Sequence, residues 1–355
     1  MESVKEYYGK ILNKSSDLKT NACCTLIKYP QYITDALCNI HQDVLSSYYG
    51  CGLVIPACLQ DKTILDLGCG TGRDVYMLSQ FVGENGKVYG VDMTDEQLVI
   101  ARQFIEYHRD KNNYSETNVE FYNGYIEKLD ELGISPGSVD VIVSNCVVNL
   151  SPDKEAVFRQ AYNLLKEGGE FYFSDVYSSR RISQELKEDS VLWGECLSGA
   201  LYWNDFLNLA KKCGFTDPRL VTSKPITINN AKLQEKLQEN LQENVGDIEF
   251  YSATYRLFKL PDLEPDCEDY GHTATYLGTI PNHETHWNLD GHHRFNKGEE
   301  VSVCGNTLKM IINTRFAEHF TFTGTFENHL GIFQDCGKKM PFNQTNNCDR
   351  TSGCC

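Results

Sequence analysis

The chain has 355 residues, 41% of them hydrophobic and 23% charged, which suits a folded protein of about two domains with a sizeable core. Its 33 basic residues against 49 acidic ones leave a net charge of −16, which disfavours nucleic acid and anionic membrane surfaces as partners. No apolar run approaches the ~18–20 residues of a membrane span, and the charged start MESVKEYYGK lacks a signal-peptide core, so a cytoplasmic protein is expected.

Along the chain, residues 1–60 read as polar helical stretches broken by Asn, Ser and Gly, ending in Tyr48-Tyr49-Gly50-Cys51-Gly52. From Thr63 strands and helices alternate. KTILDL is a buried strand, a helix runs from Asp74 through Phe81, and KVYGVDM (87–93) is a second strand. DEQLVIARQFIEYHRDK (95–111) is one amphipathic helix, and VEFYNGYIEKL (119–129) gives a strand and a turn. SVDVIVSNCVVNL (138–150) is a strand, KEAVFRQAYNLLKEGG (154–169) a glycine-closed helix, and EFYFSDVY (170–177) another strand. This alternation implies right-handed crossovers and a parallel α/β sheet covered on both faces. Residues 232–243 repeat KLQE-KLQE-NLQE, a solvated helical spacer. Beyond it, aromatic and β-branched runs between turns predict a smaller β-rich domain, followed by a polar, Cys-bearing tail. The expected boundaries are 1–60, 61–230, 231–247 (linker), 248–340 and 341–355, the last disordered.

Fifteen cysteines are an odd number for a chain without an export signal, so a disulfide framework is not the natural reading. No pair has C-x-x-C spacing and the nine histidines form no H-x-x-x-H site, so no metal cofactor is expected. Cys38, Cys58, Cys69 and Cys213 read as core or turn residues. His272, His283, His286, His292 and His293 read as solvated loop histidines.

The chemistry is concentrated around Asp66-Leu67-Gly68-Cys69-Gly70-Thr71-Gly72, between a strand and a helix. Gly68, Gly70 and Gly72 allow a tight turn and close approach of a ligand to the backbone. Asp92, 24 residues after Gly68, ends the next strand, where a carboxylate can accept from both hydroxyls of a ribose. No Lys-Ser/Thr follows, so the loop is not a phosphate-gripping one. Asp66 would repel a pyrophosphate but suits a ligand carrying an ammonium and a sulfonium. S-adenosylmethionine carries both and no phosphate, so a Rossmann-like methyltransferase is expected. The fourth strand delivers the chemistry in such folds, and here it ends in Ser144-Asn145-Cys146, presenting a thiol.

TNAC (20–23), YYGCGLV (48–54), ILDLGCGTGRD (64–74), GYIEKL (124–129), SNCVVNL (144–150), EFYFSDVY (170–177) and LWGECLSGALYW (192–203) resemble the arsenite methyltransferases over nearly the whole chain. The looser matches are TYRLFKL (254–260) and SGCC (352–355). The resemblance implies methyl transfer from S-adenosylmethionine to thiolate-bound trivalent arsenic. It implies arsenic binding by Cys146 and Cys196 with Cys51, and Cys23 as a fourth binding or redox thiol. It places Tyr49, Asp66, Gly68, Gly70, Gly72, Asp92, Met93, Tyr125, Ile126, Glu127 and Asn145 around the donor. A thiol reductant such as glutathione or thioredoxin is the implied co-substrate, arsenite or its thiol conjugates the substrate, and a monomer the expected state. Soft arsenic selects thiolates, which supports this reading. The alternatives are another small-molecule methyltransferase and a non-catalytic thiol-rich metalloid binder; the donor pocket from Asp66 to Asp92 argues against the second.

Overall fold

The structure is a computed structural model that describes residues 29–46, 54–183, 197–227, 248–334 and 336. Cys23, Tyr49, Cys51, Cys196, the KLQE repeat and the terminal cysteines lie outside the described residues.

Two short helices, α1 (Gln31–Cys38) and α2 (Gln42–Ser46), precede β1 (Thr63–Leu67). Then come α3 (Arg73–Val82), β2 (Lys87–Asp92), α4 (Asp95–Gln103), α5 (Ile105–Lys111), β3 (Val119–Asn123) and β4 (Val139–Asn145). The single helix expected over 95–111 is two. Phe104 leaves helical geometry at φ −106°, ψ 14° and buries its ring, stacked 3.9 Å from that of His41. Next follow α6 (Lys154–Leu164), β5 (Leu165–Ser178), β6 (Leu201–Tyr202), α7 (Trp203–Lys212), β7 (Arg219–Pro225) and β8 (Phe250–Phe258). The helix expected to reach residue 169 stops at Leu164. Residues 165–169 are strand because Gly168 N–H donates to the Lys259 carbonyl, and Lys259 N–H to that of Gly169, both at 2.9 Å.

The main sheet has the order β3-β2-β1-β4-β5-β8-β7, with β6 paired to β5. Strands β1 to β5 are parallel, as the βαβ pattern requires. β8 is antiparallel to both neighbours, with Glu170–Ser178 of β5 facing Phe258–Phe250 in unbroken register. Strand 250–258 thus belongs to this sheet, although the sequence placed it at the head of the β-rich unit. Its buried aromatic and aliphatic side chains fill a gap that no local pattern reveals. Apolar clusters cover both faces, one around Leu65, Ile142, Phe158 and Phe173, the other around Ile64, Val75, Val88 and Val143.

The C-terminal unit contains β9 (Glu268–Asp269), β10 (His272–Tyr276), β11 (His286–Asn288), β12 (Arg294–Asn296), β13 (Glu300–Val303), α8 (Gly305–Ile312), β14 (Phe320–Thr323) and β15 (Gly331–Ile332). They form three small antiparallel sheets around Tyr276, Trp287, Phe295, Phe316 and Phe320. Buried ion pairs join this unit to the main sheet. Glu170 of β5 meets Arg256 of β8 at 2.9 Å and also pairs with Arg315, whose Nε donates to the Ala57 carbonyl at 2.9 Å. Arg219 of β7 meets Asp290 at 3.2 Å. Among the described residues no helix is long and apolar enough to cross a membrane.

Candidate active site

The glycine loop is fastened at the carboxyl end of β1. Gly68 and Cys69 donate their N–H groups to the Val91 carbonyl at 2.8 and 3.0 Å, and Gly72 N–H closes the turn on the Cys69 carbonyl at 2.8 Å. Gly68 and Gly72 have φ of +75° and +85°, conformations that cost little only to glycine. A Cβ at Gly68 would lie 2.4 Å from the Val147 side chain, and one at Gly72 2.8 Å from the Phe121 ring. The Gly68 contact fixes the loop directly against the segment that carries Cys146.

The loop's electrostatics are acidic. Asp92 accepts the Gly70 N–H at 2.9 Å on one carboxylate oxygen and the Thr94 N–H at 2.8 Å on the other. Burial raises the Asp92 carboxyl above its ordinary range, against the pull of these bonds. Asp66 is buried, and its carboxyl is pushed well up by that burial, then by the negative charges of Asp74 and Asp92, with Arg73 opposing. Asp74 is held by Arg73 Nε at 2.8 Å and receives a bond from Asn145 Nδ2 at 3.3 Å. Asp66 lies near Asp74, Asp92 and Arg73, and Arg73 is ion-paired with Asp74, so the loop presents more acidic groups than basic ones to a ligand. Asp74, two residues beyond the last loop glycine, was not singled out from the sequence, and the structure places it beside Arg73 and Asn145.

Met93 follows β2 half-buried. Gly124 N–H donates to the Asp92 carbonyl at 3.0 Å, which draws the segment of Tyr125, Ile126 and Glu127 toward Asp92. Tyr125 is exposed, Ile126 is buried, and Glu127 accepts the Ser151 hydroxyl at 3.2 Å.

Cys146 is the first residue past β4. It is buried, has φ +59°, and donates its N–H to the Ser174 carbonyl at 2.8 Å. Positive φ is uncommon for a side chain of this kind. The sequence led us to expect a free thiolate here, but the sulfur is disulfide-bonded. The other described cysteines, among them Cys38, Cys58, Cys69 and Cys213, are free thiols. Cys69 and Cys213 are buried and Cys58 half-buried, whereas Cys38 is exposed rather than core.

A second polar device supports the Cys146 segment. Asp175 of β5 is buried and accepts from Asn149 N–H at 3.0 Å, Asn149 Nδ2 at 2.7 Å and Val176 N–H at 2.8 Å. Burial lifts its carboxyl to about 6. Gly199 lies against the Asn149 backbone, since a Cβ there would be 2.3 Å from the Asn149 carbonyl oxygen. Leu197, the residue after Cys196, is fully buried. The cluster of histidines forms no metal site: among the described residues no three His, Cys, Asp or Glu side chains are placed to hold a metal. A cavity of about 620 Å³ near Tyr32, Phe81, His283 and Arg315 contains none of the expected site residues.

With this geometry established, comparison with known proteins is decisive. Residues 59–214 match the family described as a methyltransferase domain, and 270–355 match the arsenite methyltransferase C-terminal domain. An arsenite methyltransferase of Aquipseudomonas alcaligenes is 53% identical over 354 residues, covering 100% of this chain and 99% of that protein. The chain belongs to the arsenite methyltransferase family. A second member, from Rattus norvegicus, is 45% identical over 100% of this chain and 96% of its own. The crystal structure of CrArsM, an arsenic(III) S-adenosylmethionine methyltransferase from Chlamydomonas reinhardtii, superposes with a TM-score of 0.81. That match has 45% identity and covers 86% of this chain and 100% of the other. The fold is thus the methyltransferase sheet with a β-rich C-terminal region that the family implies, and the chain is a S-adenosylmethionine-dependent methyltransferase.

Proposed function

We propose that the enzyme methylates arsenite to mono- and dimethylated arsenicals on the Cys146 sulfur and its partner thiols. The observation that carries this is the contact between the two halves of the site. Val147, next to Cys146, sits where a Cβ on Gly68 would be, so a sulfur ligand stands beside the donor loop.

S-adenosylmethionine supplies an electrophilic methyl group on a sulfonium. Asp92 accepts the ribose hydroxyls through the lone pairs that Gly70 and Thr94 leave available. Asp66 and Asp74 favour the ammonium and sulfonium by charge, with Asn145 orienting Asp74. Gly68, Gly70 and Gly72 let the donor approach the backbone, and Tyr49, Met93, Tyr125, Ile126 and Glu127 line its remaining sides. Cys146 and Cys196 hold trivalent arsenic, joined by Cys51 for the unmethylated substrate, while Cys23 serves binding or redox recycling. Soft arsenic prefers thiolates, and the ligands aim its lone pair at the methyl carbon, so positioning supplies most of the catalysis. The C–S bond breaks as As–C forms, arsenic becomes formally pentavalent, and two electrons from the thiol reductant return it to the trivalent state before a second transfer. The burial of Leu197 and the packing of Gly199 on Asn149 support convergence of the Cys146 and Cys196 segments. Residues 61–230 with β8 form the donor-binding unit.

The disulfide at Cys146 gives the reductant a task. Two electrons from glutathione or a thioredoxin-like dithiol must free that sulfur before it can bind arsenic. The test is product speciation after incubation with S-adenosylmethionine and arsenite, with and without dithiol reductant. Methylated arsenicals should accumulate only with the reductant. Their absence under both conditions, or equal yield without any reductant, overturns this reading.

A further inference from the structure

The cavity of about 620 Å³ has neither the donor loop nor Cys146 in its walls, and both units of the chain build it. Tyr32 of α1, Phe81 of α3 and residues 55–60 and 62 come from the side of the main sheet. Residues 279, 281–283, 314, 315 and 317–319 come from the C-terminal unit. A space of this size between two packed units is where small-molecule sites are commonly built.

Two kinds of group line it. The first is aromatic: the Tyr32 ring meets that of Phe81 edge-on at 5.9 Å and that of His283 at 6.5 Å. The second is cationic. The Arg315 side chain is only 6% exposed; its Nε donates to the Ala57 carbonyl at 2.9 Å and its Nη2 pairs with Glu170. Its third nitrogen, Nη1, has no hydrogen-bond partner. Glu170 is shared with Arg256 at 2.9 Å, so two buried guanidinium groups stand against one carboxylate. Of the two arginines only Arg315 lines the cavity. Elsewhere in the wall Lys62 and the exposed Glu318 offset one another. Burial holds His283 and His319 below their ordinary range, so both are uncharged at neutral pH.

The wall therefore carries an excess positive charge beside aromatic surface. A buried charge is stable only when it is paired, and a carboxylate gives Nη1 the acceptor it lacks. An inorganic anion would answer the charge and leave the rings uncovered, whereas a neutral apolar molecule would do the reverse. We propose that this cavity is a binding site for a small organic carboxylate, its charge against Arg315 and its apolar body against Tyr32 and Phe81.

The test is calorimetry on the full-length protein with 3-phenylpropionate, 3-phenylpropionamide and inorganic phosphate. The amide keeps the ring without the charge, and phosphate keeps the charge without the ring. 3-Phenylpropionate should bind, and the other two should bind at least about tenfold more weakly, the worth of one hydrogen bond to a charged group. Arg315→Gln should cost the carboxylate a similar factor and leave the amide unchanged. Ala317 is an exposed residue of the wall, and Ala317→Trp should abolish binding by occupying the cavity. Circular dichroism with a melting curve verifies the fold of both variants. Should Arg315→Gln not fold, the comparison of carboxylate with amide decides the role of charge and Ala317→Trp decides the place. No binding of the carboxylate, equal binding of the amide or of phosphate, or undiminished binding in Ala317→Trp overturns the proposal.

Discussion

Each oxygen of the Asp92 carboxylate already accepts one backbone N–H, from Gly70 and from Thr94. Asp92→Ala therefore removes a ligand acceptor and two loop fasteners together. Donor affinity should fall by roughly 1.5–3 kcal/mol, read by calorimetry, and the melting temperature should drop even without donor. Unchanged affinity would place the ribose elsewhere. Asp175 makes a pH-dependent contribution of known sign. Its folded pKa of about 6 lies above the ordinary 3.8, so the group favours the fold below pH ~4 and that contribution is lost as pH rises through 6. In Asp175→Asn this dependence should vanish. The stability of the wild type relative to the variant should then decline by roughly 2–3 kcal/mol between pH 4 and 6.5, measured by urea unfolding. Parallel pH curves for the two proteins would show that the carboxyl is not desolvated. The positions of Asp66 in β1 and Asp92 at the end of β2, beside the glycine loop, were legible because strand–glycine–strand spacing locates them. The Asp175–Asn149 pair was not, since a buried carboxylate in β5 acquires its purpose only once β4 and β5 are known to be neighbours. Nor does sequence reveal the positive φ of Cys146 or the oxidation state of its sulfur.

The elements around the donor loop interlock through side chains that sequence periodicity cannot pair. Gly68 needs both its φ of +75° and the space occupied by Val147. Gly68→Ala should weaken donor binding at least tenfold, combining steric overlap with about 1–2 kcal/mol of left-handed backbone strain. Adding Val147→Ala removes the overlap but not the strain, so the double variant should recover part of the affinity and not all of it. No recovery would mean that the backbone conformation alone decides; wild-type affinity in the single variant would mean that the loop yields freely. The strands β1 and β4 were legible at this scale because they are apolar, branched runs buried on both faces. The boundaries at Phe104 and Leu165 were not. Phe104 breaks a continuous helical pattern to stack on His41, and Leu165 leaves its helix because β8 captures the following residues. Both causes lie far away in sequence.

At the scale of the whole molecule, the order of β1 to β5 follows from alternation and handedness, whereas the placement of β8 comes from contacts across more than seventy residues of chain. FYSATYRLF reads equally well as an edge of the β-rich unit, and only the gap between β5 and β7 assigns it. That strand also carries Arg256, which joins Glu170 and Arg315 in the buried seam between the two units. The Arg256 guanidinium lies 5.3 Å from the rings of Trp287, Tyr172 and Phe316, so aromatic faces share its charge. Glu170 is fully buried and is the carboxylate common to both arginines. Glu170→Ala leaves two buried guanidinium groups without that counter-charge, which should cost about 3–5 kcal/mol. The loss should fall on the docking of the C-terminal unit before it falls on the parallel strands. With Trp193 and Trp203 replaced by Phe, Trp287 fluorescence reports the seam and far-UV circular dichroism reports the whole chain. In the parent the two urea transitions should coincide; in Glu170→Ala the fluorescence transition should move to lower urea and separate from the other. Coincident transitions with a total loss under about 1 kcal/mol, the size of an exposed ion pair, would show that apolar packing around Trp287 holds the units together without the ionic seam.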